Sequence, residues 1–249
     1  AIGHTIPQNL LVDIYNVSKQ FFDLLVEEKQ RYAQSKGDGI FDLDGYGSDS
    51  MKAKIDDDRS LDWVEYKNLV TKPVEASVTK IILKATAKSL GFEENDFINQ
   101  LGDRQYVNTI FNFYPPCPRP YLVYGVRAHT DRGAIIVLLL DPEVGGLQVF
   151  KNDQWFSITT IFFHPSLLQF SNIPCVSGSL LINLGDQLQI MRNGILNSPL
   201  HKVVTNTERT RILVGMFYAP NIDNEIEPVA ALIDESNPRK YISEDERLS

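Results

Sequence analysis

The amino-acid sequence predicts an α+β protein that is mainly β, with a helical N-terminal layer packed on an antiparallel β core. Three observations support this prediction. Apolar residues recur at helical spacing in two stretches before residue 105, short β-branched and aromatic runs dominate after it, and no helix-length pattern separates those runs. The last observation disfavours a parallel βαβ sheet and favours an antiparallel sandwich, barrel or jelly roll.

Two N-terminal segments are predicted to be helical. Across Ile6–Tyr32 apolar residues recur every three or four positions, which indicates one long or two shorter amphipathic helices. The Gly-Asp-Gly run at 37–39 marks a stop, and a polar segment continues to about Arg59. A second helical pattern covers Val74–Leu90, and Gly91 is suited to its C-terminal cap.

Eight short strands are predicted after Gln105, each rich in β-branched or aromatic residues and bounded by Gly, Pro, Asn or Asp. They read QYVNTIFNFY, YGVRAHTD, AIIVLLLD, GLQVF, QWFSITTIFF, SLLINLGD, HKVVT and RILVGMFYAP. A chain of 249 residues suits one large domain. We therefore divide it into a helical region, 1–104, and a β core, 105–249, that belong to the same domain.

Composition excludes several classes of partner. The formal net charge is -8, and no Lys/Arg cluster is dense enough to follow a nucleic-acid backbone or an anionic membrane. The two cysteines, Cys117 and Cys175, are too few for a disulfide framework. No stretch approaches the roughly 20 apolar residues that span a bilayer. We therefore expect a cytoplasmic protein that acts on a small molecule, with an oligomeric state that the sequence leaves open.

Two of the four histidines stand in settings suited to metal binding. His129 and Asp131 lie two positions apart, a spacing that puts both side chains on one face of a strand. His201 opens a later predicted strand and is placed to complete the set. Two imidazoles and one carboxylate leave adjacent coordination positions open, an arrangement that suits non-haem Fe(II) and O2 chemistry. Taken alone, an H-x-D pair is more often a hydrogen-bonded histidine followed by a turn aspartate.

Seven features along the chain carry a family resemblance. They are NFYPPCPRP at 112–120, RAHTD at 127–131, GGLQVF at 145–150, Trp155, INLGDQLQIMRNG at 182–194, SPLHKVVTN at 198–206 and RILVGMFYAP at 211–220. Together they resemble the plant 2-oxoglutarate- and Fe(II)-dependent dioxygenases. Within that family they are most similar to the senescence-related and alkaloid-type branch of plant specialised metabolism. The resemblance covers nearly the whole chain.

The resemblance implies a double-stranded β-helix, a jelly-roll or cupin-like core, with iron at one mouth. It implies that His129, Asp131 and His201 are the iron ligands and that Arg211 holds the far carboxylate of 2-oxoglutarate. An arginine suits this role because its planar fork meets a carboxylate through two hydrogen bonds and stays charged. The implied cofactors are Fe(II), the co-substrate 2-oxoglutarate and O2. The resemblance leaves a requirement for ascorbate open.

Four further residues are implicated by their positions in the family pattern. Asn112 and Tyr114 fall in its N-x-Y motif and are predicted to contact the co-substrate through amide and phenol groups. Phe217 falls where family members place a ring against the substrate. Arg132 directly follows the proposed ligand Asp131 and brings positive charge to the substrate pocket, where it is placed either to select an acidic substrate or to obstruct entry.

The chain also departs from the family pattern in three places. Leu213 stands where the R-x-S motif has serine, which removes a hydroxyl partner of the distal carboxylate. Residues 162–176 read as an insertion that must be extruded as a loop or pack at the barrel mouth or against another subunit. From the family pattern we also expect that N-terminal strands before Ala1 and a longer segment near residue 70 are missing here.

Three functional hypotheses remain open on the sequence. The leading one is an Fe(II)- and 2-oxoglutarate-dependent dioxygenase that hydroxylates, O-demethylates or desaturates a small plant specialised metabolite. The second is a catalytically impaired relative that binds a small molecule or a protein without turnover, which Leu213, the insertion at 162–176 and the missing segments favour. The third, a metal-dependent hydrolase or isomerase on a cupin-like barrel, explains the metal ligands but not Arg211, Asn112 and Tyr114 together.

Overall fold

Eleven strands, five α-helices and one short 3-10 helix (Ala230–Leu232) build the part of the chain that the computed structural model describes. That part comprises residues 1–2, 4, 6–33, 44–48, 62–71, 77–89, 91–102, 106–161, 172–176, 178–220 and 224–241. The elements follow in the order α1 (Gln8–Phe22), α2 (Val26–Gln30), β1 (Gly45–Ser48), β2 (Glu65–Thr71), α3 (Ser77–Ser89), α4 (Asp96–Leu101), β3 (Tyr106–Tyr114), β4 (Val126–His129), β5 (Ile135–Leu139), β6 (Leu147–Lys151), β7 (Gln154–Ile161), β8 (Asn172–Val176), β9 (Leu181–Leu184), α5 (Asp186–Met191), β10 (His201–Val203) and β11 (Arg211–Ala219).

The strands form two sheets that pack face to face as a double-stranded β-helix. The major sheet has the order β1-β2-β3-β11-β5-β9, and the minor sheet has the order β4-β10-β6-β7-β8. From β4 onward the chain passes repeatedly between the sheets, and the pairing is antiparallel except between β7 and β8. The predicted mainly-β jelly-roll core with N-terminal helices is therefore confirmed.

All eight predicted strands are present, and three further strands were not predicted. β1 lies within the polar segment that was predicted to continue to about Arg59, and β2 follows that segment. β8 lies within the predicted insertion and pairs in parallel with β7. The insertion is therefore not wholly an extruded loop, because 172–176 extends the minor sheet, while 162–170 and its His164 lie outside the described residues.

The predicted helices are found with small differences. The Ile6–Tyr32 pattern corresponds to the two helices α1 and α2, and the Val74–Leu90 pattern contains α3. Gly91 ends α3 in the left-handed region, with φ of 78°, and its amide donates to the Lys88 carbonyl. No described helix is both long and apolar enough to cross a membrane.

Two apolar clusters lie on opposite faces of the major sheet. The helix-side cluster joins the helices to the sheet through Leu11, Leu83, Ala87, Phe97, Leu101, Ala134, Ile135, Val137, Leu180, Leu188, Met191 and Tyr218. The interior cluster fills the space between the sheets with Val64, Tyr114, Ile136, Leu138, Leu147, Ile158, Cys175, Val203 and Leu213. Strand β11 contributes to both, because its side chains alternate between the two faces.

A buried ion pair ties the N-terminal helices to the major sheet. Lys29 on α2 is 4% exposed, and its Nζ lies 2.7 Å from Glu65 Oε2 on β2 and donates to the Phe22 carbonyl at 3.1 Å. Tyr46 donates to the same Glu65 oxygen at 2.8 Å. The Lys29 ammonium group is therefore both ion-paired and hydrogen-bonded in a buried site.

Lys29→Met is expected to lower the free energy of unfolding by about 3 kcal/mol, because it leaves the Glu65 carboxylate in a poorly solvated site without its cation. Chemical denaturation measures this change. Lys19→Met is the matched control, since Lys19 pairs with Asp23 on the exposed surface of α1 and is expected to cost about 0.5 kcal/mol or less. Equal losses of unfolding free energy in the two variants would contradict the assignment of Lys29 and Glu65 as a stabilising buried ion pair.

Candidate metal and co-substrate site

Three side chains converge at one end of the β-helix. The ligand atoms of His129, Asp131 and His201 all lie within 4.8 Å of one another. Asp131 lies between the two rings, with Oδ1 3.7 Å from His129 Nε2 and Oδ2 3.6 Å from His201 Nε2. Asp131 and His201 are buried, whereas the His129 side chain is 39% exposed. The group is thus open to solvent on one side only.

The strand pairing brings the two histidines together across 72 positions of sequence. His129 ends β4 and His201 begins β10, and the two are direct antiparallel partners in the minor sheet. Asp131 is not on a strand, however: β4 ends at His129, and Asp131 lies in the turn that leads into β5. The expectation that strand alternation aligns His129 with Asp131 was therefore wrong, although both side chains do reach the same point.

Backbone carbonyls orient both imidazole rings. The Nδ1 atom of His129 lies 2.7 Å from the Arg127 carbonyl oxygen, and that of His201 lies 3.0 Å from the Pro199 carbonyl oxygen. A protonated Nδ1 that donates to these carbonyls leaves Nε2 unprotonated on each ring. Both Nε2 atoms face Asp131, so the tautomer and the ring orientation suit metal binding.

The end of β9 and the residues that follow it support the turn that carries Asp131. Asn183 Nδ2 donates to Asp131 Oδ2 at 3.3 Å, and the Asp186 amide donates to the Asp131 carbonyl at 2.8 Å. Gly185 approaches the turn so closely that a Cβ would lie 1.8 Å from the Gly133 carbonyl oxygen. Asn183 was not predicted as a site residue, because its contact partner is 52 positions away in the sequence.

Asn183→Ala is expected to weaken Fe(II) binding by about tenfold to a hundredfold, because the residue fixes the carboxylate that completes the ligand set. Anaerobic metal titration measures the affinity. Asn197→Ala, at an exposed position of the loop before β10, is the control and is expected to bind metal like the parent protein. Unchanged metal affinity in Asn183→Ala would remove the residue from the site.

Arg211 is a buried cation with unused hydrogen-bonding capacity. The residue is 4% exposed, and neither its Nε nor its Nη1 has a hydrogen-bond partner among the described residues. Its guanidinium carbon lies 5.2 Å from the centre of the Tyr114 ring, its direct partner in the β3–β11 register. Burial lowers the pKa of Arg211 and raises that of Tyr114 to about 12, so the phenol stays protonated near neutral pH.

Such a site fits the carboxylate of a ligand. A buried guanidinium is costly to desolvate even with the negative charge of Asp141 nearby, and a ligand carboxylate would accept from the two nitrogens that lack described partners, in the geometry that arginine favours. Asp141, which sequence analysis missed, holds the adjacent backbone. This aspartate is 2% exposed and accepts from the Ile212 amide at 3.0 Å and from the Tyr15 hydroxyl at 3.0 Å.

The remaining predicted residues differ in their surroundings. Asn112 is partly buried and lies directly opposite Leu213, on the face of the major sheet that also carries Arg211. Leu213 is 7% exposed and packs in the interior cluster, so an apolar side chain occupies the position where the family resemblance implies a serine. Phe217 packs against the same cluster. Arg132 is exposed beside Asp131.

Comparisons with known proteins decide the family. Residues 106–220 match the model of the 2OG-Fe(II) oxygenase superfamily, and residues 1–85 match that of the N-terminal region of the non-haem dioxygenase in morphine synthesis. The chain is 31% identical to Jasmonate-induced oxygenase 4 of Arabidopsis thaliana, over 96% of its own length and 69% of that protein. The chain belongs to the 2OG-Fe(II) oxygenase superfamily. It is an oxidoreductase of the plant 2-oxoglutarate-dependent dioxygenases.

Other proteins of this superfamily, which carry different names, match the chain at comparable sequence identity. Codeine O-demethylase of Papaver somniferum is 28% identical, over 96% of this chain and 68% of that protein. The crystal structure of JOX2 in complex with 2OG, Fe and JA superposes with a TM-score of 0.82 at 27% identity, covering 99% of this chain and 75% of that one. The match to Jasmonate-induced oxygenase 4 extends over 268 positions, more than the 249 residues present, so this chain lacks segments that the relative has.

Proposed function

We propose that this superfamily member binds Fe(II) through His129, Asp131 and His201 and 2-oxoglutarate through Arg211, and oxidises a small plant specialised metabolite. The observation that carries the proposal is the buried Arg211, two of whose nitrogens have no partner in the described part of the chain, in the same β-helix as an oriented His-Asp-His group. When bound, Fe(II) with 2-oxoglutarate and O2 supplies an oxidant while the co-substrate is decarboxylated to succinate.

The side chains of this protein hold and orient the reactants. The carbonyls of Arg127 and Pro199 fix the imidazole rings, and Asn183 fixes the carboxylate of Asp131. Arg211 sets the direction from which the co-substrate reaches the metal group. We assign Asn112 and Tyr114 to the co-substrate as well, because both lie on the face of the major sheet that carries Arg211.

The substrate is proposed to approach from the exposed side of His129. Phe217 is proposed to contact it from β11, and Arg132 to place positive charge near its entry path. A cation there would favour a substrate that carries a carboxylate or a phenolate. Hydroxylation is the simplest outcome, and O-demethylation follows when the attacked carbon bears an ether oxygen.

The hypothesis of an impaired relative gains no support from the geometry of the described site. Leu213 removes one hydroxyl from the co-substrate pocket but leaves the Arg211 fork and the metal group intact. Loss of one hydrogen bond to a charged group costs about 1.5–3 kcal/mol, which weakens binding without abolishing it. The third hypothesis, a hydrolase or isomerase, leaves the buried arginine unexplained.

The proposal is tested by offering the Fe(II)-loaded protein a panel of phenolic, alkaloid and carboxylate-bearing plant metabolites with 2-oxoglutarate and O2. Succinate formation that rises above the substrate-free rate for one class, together with a product heavier by one oxygen or lighter by one methylene, is expected. An Arg132→Gln variant should lose rate selectively for anionic substrates. Succinate formation that no class of metabolite increases would contradict the proposed role in specialised metabolism.

A further inference from the structure

Thr205 presents a buried hydroxyl that no described residue engages. The residue is 8% exposed, and its Oγ1 has no hydrogen-bond partner among the described residues. A buried hydroxyl without a partner costs free energy, so its presence suggests that a ligand completes its hydrogen bonding. Thr205 was not singled out in the sequence, where it reads as the end of a strand.

The burial pattern along β10 and beyond places this side chain on the inner face of the barrel. His201, Val203 and Thr205 are buried, while Lys202 and Val204 are only partly so. Val203 packs in the interior cluster. The ladder to the neighbouring strand continues past β10, because the Val204 amide donates to the Gly146 carbonyl at 2.9 Å. Thr205 therefore follows His201 and Val203 on the same side of an extended segment.

Gly146 shows that the Arg211 side chain runs beside this segment. A Cβ on Gly146 would lie 2.8 Å from the Val204 carbonyl oxygen, 3.3 Å from Arg211 Cδ and 3.5 Å from Arg211 Nε. The glycine also has φ of 145°, which other residues rarely adopt. Arg211 thus lies close to the backbone that leads into Thr205, and both residues carry polar atoms to which no described residue hydrogen-bonds.

We infer that Thr205 donates its hydroxyl hydrogen to the distal carboxylate of 2-oxoglutarate and so replaces the hydroxyl that Leu213 lacks. This inference rests on the proposed co-substrate role of Arg211. The carboxylate accepts from the free Arg211 nitrogens on one side and from the threonine hydroxyl on the other. The departure at Leu213 is thereby offset by a residue on the opposite sheet, and the pocket keeps a hydroxyl donor.

Thr205→Val tests the inference, because valine has nearly the same shape and lacks only the hydroxyl. In the anaerobic Fe(II)-loaded protein it is expected to weaken 2-oxoglutarate binding on the order of tenfold to a hundredfold, the effect of one hydrogen bond to a charged group. Binding of 2-oxovalerate, which has a methyl group instead of the distal carboxylate, should change less than twofold. Thr205→Ser should bind 2-oxoglutarate like the parent, as should the exposed-site control Thr207→Val.

Two further measurements separate a ligand contact from a structural role. Without 2-oxoglutarate, Thr205→Val is expected to raise the thermal midpoint, since it removes an unsatisfied buried hydroxyl. Leu213→Ser should improve 2-oxoglutarate binding more in the Thr205→Val background than in the parent. The inference is overturned if Thr205→Val lowers the midpoint while binding 2-oxoglutarate normally, or if it weakens 2-oxoglutarate and 2-oxovalerate equally. A parent protein that binds no 2-oxoglutarate at all would instead overturn the proposed function.

Discussion

His201→Ala is expected to reduce succinate formation to the level of the metal-free protein and to weaken Fe(II) binding by at least about a hundredfold. His201 is the more buried of the two imidazoles, its ring is fixed by the Pro199 carbonyl, and it faces Asp131 directly. Its loss would leave one imidazole and one carboxylate, a set that binds a divalent ion weakly. Anaerobic titration and a succinate assay measure the two effects.

The control for this variant is His4→Ala. His4 lies in the N-terminal segment, where its Nε2 is 3.1 Å from the Gly178 carbonyl oxygen, and it has no place in the metal group. It should leave Fe(II) affinity unchanged. Retention of Fe(II) binding by His201→Ala would show that the metal, if bound, sits elsewhere.

Arg211→Gln is expected to weaken 2-oxoglutarate binding by several hundredfold while leaving Fe(II) affinity within about twofold. The estimate corresponds to two charge-assisted hydrogen bonds of about 1.5–3 kcal/mol each, less the part that the glutamine amide recovers. Calorimetry on the Fe(II)-loaded protein under anaerobic conditions measures the first affinity, and metal titration measures the second. The two readouts separate the loss of the co-substrate site from a general loss of structure.

Arg209→Gln provides the matched control, two positions earlier in the chain. Arg209 is exposed and pairs with Glu143 at the surface, so its replacement removes the same charge without touching the pocket. It should bind 2-oxoglutarate like the parent. If Arg211→Gln and Arg209→Gln weakened binding alike, the effect would be one of overall charge and the assigned pocket would be wrong.

Sequence alone predicts the β core well because periodicity and turn residues are local signals. It failed where tertiary pairing decides the structure. β1 reads Gly-Tyr-Gly-Ser and β2 is largely polar, so both are strands only because they pair outward from β3. β8 contains Pro174, a residue that is confined to sheet edges, and β8 is indeed the edge of the minor sheet.

Some residues of the candidate site were predicted from the sequence, and others were found only in the structure. His129, Asp131, His201 and Arg211 were identified because their residue types and neighbours form a recognisable family pattern. Asn183, Asp141 and Thr205 escaped, because each acquires its meaning from residues far away in the sequence. The signal that finds them is structural: each is a buried polar side chain that contacts a site residue, contacts the backbone beside a site residue, or lacks a partner among the described residues.

We propose that one β-helix holds both Fe(II) and 2-oxoglutarate and couples them to O2. Anaerobic addition of Fe(II) and then 2-oxoglutarate, followed by O2, tests this proposal. We predict a metal-to-ligand charge-transfer band that appears only when both are present, decays on exposure to O2 and is followed by succinate. A protein that shows neither band nor succinate at saturating 2-oxoglutarate would contradict the claim.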